Sequence, residues 1–184
     1  MNDKSLRVLA SIGLAVGGTL GIAGTFGPSA SFRGLAWGID GAALVMASAL
    51  LTVRFYRMGQ DFVAAGFLVF AVGEGIVVSG AAMDLPASVP SFGAGAALWA
   101  VALLLISIPR NFPVIVRLLG LAAAILFAAT AGQIFAGVQI LPTSHPLPFF
   151  AYPVFVATFI GWIWTLLTGA SDDGAACNEA EQNH

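Results

Sequence analysis

The sequence predicts an all-α membrane protein, a bundle of six transmembrane helices with both termini in the cytoplasm. Three observations predict this class. Hydrophobic residues make up 59% of the 184 residues and charged residues only 9%, whereas soluble domains carry about a quarter charged residues. Six apolar stretches each approach the length of about 20 residues that a membrane-spanning helix needs. Lys and Arg are concentrated in alternate connections between these stretches, as the positive-inside rule requires.

The first three predicted spans are 6–26, 34–53 and 62–83. The first ends where Pro28 interrupts helical hydrogen bonding, and the second ends where Arg54 brings charge to the membrane surface. The third lies between the acidic residues that flank it in sequence. These boundaries predict three helices that alternate in direction.

The last three predicted spans are 91–108, 113–138 and 149–167. Pro109 separates the fourth span from the fifth, and a proline-rich connection that ends at Pro148 separates the fifth from the sixth. Proline is tolerated at helix ends because its missing N–H costs no internal hydrogen bond there. The spans therefore predict one transmembrane domain.

This domain comprises residues 1–169, and residues 170–184 form a polar, acidic tail that we expect to be disordered. The basic residues before the first span, and the small residues at 29–31 after it, are also typical of a cleaved signal peptide. Its apolar core of about 20 residues exceeds the usual length of roughly 7–15, which favours an uncleaved first helix. Cleavage would leave five spans.

The positive charges predict the orientation of the bundle. With the N-terminus inside, only Arg33 lies on the outer side. We therefore expect both termini in the cytoplasm and the protein in a bacterial inner membrane. The residues on the inner side are Lys4, Arg7, Arg54, Arg57, Arg110 and Arg117.

Glycine stripes predict where helices approach one another, because small residues permit close packing of helices in lipid. Such stripes serve either homodimerisation or packing within the bundle. Several spans carry one, which favours packing within the bundle. The stripes are Gly13, Gly17 and Gly21 on the first span and Gly66, Gly73 and Gly80 on the third.

Two carboxyl groups lie inside predicted spans, Asp40 in the second and Glu74 in the third. A charged group in the middle of a membrane helix costs about 2.5–3.5 kcal/mol on insertion scales. From the rise per residue we expect Asp40 about 9 Å and Glu74 about 14 Å below the outer surface. Consecutive helices usually pack side by side, so the two carboxyls are predicted to lie close together, where they can share one proton.

Three further side chains are predicted to reach the same layer, namely Trp99, Gln133 and Tyr152. Trp99 lies too deep for the interfacial aromatic belt. We expect these three to line an outward-facing cavity with Asp40 and Glu74. In the alternative interpretation, each carboxyl is protonated and hydrogen-bonded to a neighbouring backbone carbonyl, and serves only to fix helix register.

The sequence lacks the residues and motifs that several classes of function need. Cys177 is the only cysteine, and His145 and His184 are the only histidines. There is no zinc, hydrolase or phosphate-binding motif and no basic patch for nucleic acid. We therefore expect no catalytic residue, no metal and no cofactor, and not an enzyme.

Two functional hypotheses come first, and an intramembrane enzyme comes third because candidates for a general base and a nucleophile are scarce. In the first, the protein binds or translocates a small solute or a proton through the outward-facing cavity, with Asp40 and Glu74 as the charged groups. In the second, it is a non-catalytic membrane subunit or sensor that acts through helix–helix contacts with a second copy or a membrane partner. In either case we expect the protein to contact the lipid bilayer.

Overall fold

The computed structural model describes residues 2–81 and 83–182, and the regular structure in that part of the chain is entirely helical. Every helix contains a stretch long and apolar enough to cross a bilayer. The prediction of six long apolar helices is therefore confirmed, and they fit a multi-pass membrane protein. The helices are α1 (Asp3–Thr25), α2 (Ala30–Arg57), α3 (Asp61–Ala81), α4 (Val89–Ser107), α5 (Val114–Phe135) and α6 (Ala151–Gln182).

Helices α2 and α6 continue beyond their predicted spans. The spans are defined by apolar residues only, whereas the helical backbone also includes polar residues at the ends. The Ser29 hydroxyl accepts a hydrogen bond from the Phe32 N–H at 3.2 Å and so caps the start of α2. In α6 the apolar part is Ala151–Thr168, and the backbone is helical to Gln182. The predicted disorder of the tail 170–184, of which residues 183 and 184 lie outside the described part, stays a prediction.

The helices form a closed ring. Each helix packs against the next in sequence, and α6 packs against α1. At one end of the ring, which we name the cavity end, α1, α3 and α5 finish and α2, α4 and α6 begin. The opposite end is the arginine end, which the charge distribution predicts to face the cytoplasm; this orientation stays a prediction. The arginine end carries Arg7, Arg54, Arg57, Arg110 and Arg117.

Contact between the backbones of α3 and α4 depends on glycine. A Cβ on Gly73 would lie 3.2 Å from the carbonyl oxygen of Gly95, and a Cβ on Gly95 would lie 2.9 Å from that of Gly73. Gly66 is similarly close to α4, with 3.2 Å between its Cβ position and the Ala102 carbonyl oxygen. Gly80 also faces α4. This glycine stripe lies at a contact within the chain.

The glycine stripe of α1 lies against α2. A Cβ on Gly13 would lie 2.8 Å from the Ala43 carbonyl oxygen. Gly17 and Gly21, one and two turns further along, face the side chain of Asp40. The α1 stripe therefore lets α2 approach closely and also makes room for a carboxyl group.

Aromatic side chains from four helices fill the centre of the ring, and we name this cluster the aromatic core. The Trp99 and Phe127 ring centroids are 5.1 Å apart and those of Phe127 and Phe155 are 5.0 Å apart, both edge-to-face. Such pairs contribute about 0.5–1.5 kcal/mol each beyond the burial of their area. The members of the aromatic core are Phe67, Phe70, Trp99, Phe127, Phe155, Phe159 and Trp162.

Arg117 on α5 forms hydrogen bonds to the end of α4 at the arginine end. Arg117 Nε donates a hydrogen bond to the Ser107 carbonyl oxygen at 2.8 Å, and its terminal nitrogen donates to that of Ile108 at 2.9 Å. Carbonyl groups in the last turn of a helix have no partner within the helix. Arg117 therefore stabilises the end of α4 through two charge-assisted hydrogen bonds.

We expect Gly95→Ala to lower the free energy of unfolding by about 1–3 kcal/mol, because the added methyl group forces α3 and α4 apart. The thermal unfolding midpoint in detergent micelles, followed by circular dichroism, measures this. Gly132→Ala is the control, since no atom of a neighbouring residue lies within 4 Å of its Cβ position. Equal midpoints for Gly95→Ala and the unchanged protein would contradict the close approach.

Candidate functional site

A cavity of about 70 Å³ lies at the cavity end of the ring, enclosed by α1, α2, α3, α4 and α6. An engineered protein cavity that holds benzene measures about 150 Å³. This cavity therefore has room for a ligand of a few non-hydrogen atoms. Its walls are mostly apolar with a few polar groups, as in ligand sites generally.

Asp40 projects from the first half of α2 towards α1. Its Oδ2 lies 3.0 Å from the Cβ position of Gly21, and its Oδ1 lies 3.2 Å from that of Gly17. A Cβ at either position would be in tight contact with the carboxyl group, and at Gly17 it would overlap the Leu44 side chain as well. Asp40 Oδ1 is buried and has no hydrogen-bond partner in the described part of the chain.

Glu74 lies on α3 and is the most deeply buried acidic residue of the cavity, with 2% of its surface exposed. Its Oε1 lies 3.3 Å from the Cβ position of Gly41 on α2. The indole N–H of Trp99 lies beside the Glu74 carboxyl but makes no hydrogen bond of regular geometry. Glu74 Oε2 and Trp99 Nε1 are thus buried polar atoms without a regular partner among the described residues.

The two carboxyls share this cavity and lie close enough for their charges to interact. Among the residues that the structure describes, no Lys, Arg or His lines the cavity. Arg33, the predicted outer basic residue, lies over the Trp37 ring at 5.9 Å from its centroid and forms no ion pair with a described residue. The cavity is therefore acidic, without a counter-charge from the described side chains.

Trp99 and Tyr152 line the cavity together with the two carboxyls, as residues of α4 and α6. The Tyr152 ring packs edge-on against Phe127 at 6.0 Å. Trp99 packs against Phe155 at 5.4 Å and is 4% exposed, so the aromatic core holds it firmly. Four of the five predicted site residues therefore lie around one cavity.

Gln133 is the exception, because it does not line the cavity and its predicted place there is wrong. Its side chain is exposed on α5 and donates a long hydrogen bond of 3.4 Å to the Ala129 carbonyl oxygen. The inward face of α5 runs through Phe127, Thr130 and Ala131. Gln133 lies off that face, and α5 contributes no described residue to the cavity wall.

The structure adds lining residues that the sequence interpretation missed. Trp37 lies one turn before Asp40 on α2, and its indole N–H donates a hydrogen bond of 3.3 Å to the Gly21 carbonyl oxygen. Phe155 and Phe159 follow Tyr152 at helical spacing and form part of the cavity wall. Spacing of three, four or seven residues from Asp40 and Tyr152 is the signal that identifies them.

The groups that line this cavity favour a positively charged ligand. It contains two carboxyl groups and six aromatic side chains, and both kinds of group attract cations. In the described part of the chain, no group of three or more His, Cys, Asp and Glu is placed to hold a metal ion. Two carboxyls alone fall short of the six to eight oxygen ligands that Ca²⁺ takes.

Six long apolar helices around a cavity that two carboxyl groups line fit a multi-pass membrane protein with a small site between its helices. Comparison with family models, curated proteins and solved structures finds no match to the chain. We therefore infer its function from the chemistry of the cavity.

We expect Glu74→Met to leave the free energy of unfolding unchanged or to raise it by about 1 kcal/mol, because the buried carboxyl has no charged partner. Thermal unfolding in detergent micelles measures the change. Arg117→Met is the matched comparison: it loses two charge-assisted hydrogen bonds and should lower stability by about 2 kcal/mol or more. A comparable loss for Glu74→Met would mean that this carboxyl holds the fold together.

Proposed function

We propose that the protein binds a small solute or a proton in the cavity and moves it across the membrane. The observation that carries the proposal is the pair of carboxyls, Asp40 and Glu74, which line one cavity without an ion-pair partner among the described residues. Ionisable groups inside a membrane are costly and usually mark a pathway for ions, protons or substrates. A purely structural carboxyl would instead donate its proton to a nearby backbone carbonyl.

We propose further that the cavity opens to the outside of a bacterial inner membrane and that both termini are cytoplasmic. The arginine bias supports this orientation: six of the seven Lys and Arg residues belong to the arginine end, and Arg33 alone belongs to the cavity end. A solute would then enter from the side opposite the arginine end.

Each lining group has a distinct task in this proposal. Asp40 and Glu74 hold or relay the positive charge, and the pair can share a proton when no cation is present. Trp99 and Tyr152 give the site its shape and exclude larger molecules. Phe155 and Phe159 separate the cavity from the arginine end. Passage across the membrane therefore requires these side chains, or α6 that carries them, to move.

We expect the double variant Asp40→Asn, Glu74→Gln to reduce transport about tenfold or more, because the charge-assisted contacts to the solute are lost. Proteoliposome swelling in a panel of small solutes, read by light scattering, measures solute entry. An entrapped pH-sensitive dye measures proton flux in the same vesicles. Transport and proton response equal to those of the unchanged protein would overturn the proposal.

Two controls separate the role of the cavity from effects on folding. Asp61→Asn removes an exposed carboxyl at the opposite end of α3 from Glu74 and should leave both signals unchanged. Gly18→Val should block the cavity by volume alone. A Cβ on Gly18 would lie at ordinary contact distance, 3.4 Å from Phe159 and 3.6 Å from Val156, and the γ-methyl groups of valine add the bulk beyond it. Loss of transport in both the Gly18 and the carboxyl variants, with unchanged circular dichroism, is the expected result.

A further inference from the structure

The charge of the cavity defines the sign of its ligand. Asp40 and Glu74 are the acidic groups of the lining, and no described Lys, Arg or His is there to balance them. One ionised carboxylate is enough to balance a ligand with a single positive charge. The other carboxyl can stay protonated and still accept a hydrogen bond through its carbonyl oxygen. A monovalent cation therefore fits without a second ion.

The buried acceptor atoms define what the cation must carry. Glu74 Oε2 and Asp40 Oδ1 are buried without a hydrogen-bond partner in the described part of the chain, and Glu74 is only 2% exposed. A buried acceptor left without a donor is costly. A ligand with several N–H groups supplies donors to both carboxyl groups once their side chains turn to meet it, since these two oxygens have almost no surface exposed to the cavity. A quaternary ammonium ion has no N–H and leaves both acceptors unsatisfied.

The remaining walls suit an ammonium ion better than an alkali-metal ion. Trp37, Trp99, Tyr152 and Phe155 surround the cavity with aromatic rings. Ammonium groups bind favourably to the faces of such rings. A metal ion that gives up its water instead needs a shell of oxygen ligands, whereas this lining is largely apolar.

The volume limits the size of the ligand. About 70 Å³ is roughly half the volume of the cavity that holds benzene in an engineered protein. This leaves space for an ammonium group with a short carbon substituent.

We propose that the cavity binds the ammonium ion or a short primary alkylammonium ion such as methylammonium, between Asp40, Glu74 and the aromatic walls. This inference rests on the proposed function, because it names the solute of that same site. Glu74 is the deeper anchor and accepts one N–H at its carboxyl group, while the carboxyl group of Asp40 accepts a second N–H across the cavity. The hydrocarbon substituent lies against the rings of α4 and α6.

Isothermal titration calorimetry on the full chain in detergent micelles tests the proposal, with methylammonium chloride, tetramethylammonium chloride and potassium chloride as probes at constant ionic strength. We expect saturable binding of methylammonium. Tetramethylammonium should bind about tenfold more weakly or worse, because it has no N–H for the carboxyl acceptors and is also larger than methylammonium. Potassium should bind at least as poorly as tetramethylammonium.

Variants locate the binding. Glu74→Gln and Asp40→Asn should each weaken methylammonium binding about tenfold, and Asp61→Asn should not change it. Gly18→Val tests the same site by volume if a carboxyl variant fails to fold, and should abolish binding. Methylammonium binding that is unchanged in Gly18→Val or in a folded carboxyl variant would overturn the proposed site.

The outcomes also distinguish this inference from the function on which it rests. If potassium or tetramethylammonium binds as well as methylammonium, and the carboxyl variants abolish that binding, the ammonium preference is wrong while the cavity remains a solute site. If none of the three probes binds but proton flux depends on Asp40 and Glu74, the cavity serves protons and the ammonium inference is overturned. If no probe binds and the carboxyl variants transport normally, both proposals fail.

Discussion

Close approach of helix backbones at glycine is the constraint on which this structure depends. Helices in lipid gain nothing from excluding water, so they associate through packing at short distance. Gly73 and Gly95 meet across α3 and α4 with carbonyl oxygens where a methyl group would stand. Gly13 does the same for α1 and α2. Gly41 does so between α2 and α3, where its Cβ position lies 3.3 Å from Glu74 Oε1, so the two helices that carry the carboxyls can share one cavity.

The same small residues that permit packing also create the site. Gly17 and Gly21 make room for the carboxyl of Asp40, and Gly41 makes room for Oε1 of Glu74. The aromatic core then closes the centre of the ring beyond the cavity. Glycines at the helix contacts therefore make room for the carboxyl groups of the cavity. The large rings of the aromatic core fill the centre of the ring between the cavity and the arginine end.

Much of the candidate site could be predicted from the sequence. Asp40 and Glu74 stand out because charge is rare in an apolar span, and consecutive helices usually pack side by side. Gln133 could not be placed in this way, because the rotation of α5 about its own axis depends on which face packs against α4 and α6. Trp37 was missed although its helical spacing from Asp40 puts it on the same face. The depth of a residue along its helix follows from counting residues. The direction in which its side chain points depends on which neighbouring helices pack against that helix.

The sequence by itself determined the all-helical class, the number of helices and the approximate ends of most of them. Long apolar stretches and proline-rich or charged connections are local properties of the chain, which explains their predictive value. Only the tertiary structure decided that α6 packs against α1, and that Trp99 of the aromatic core lies beside Glu74. Ring closure and the meeting of side chains from five helices are contacts between residues far apart in sequence, and periodicity within one helix carries no information about them.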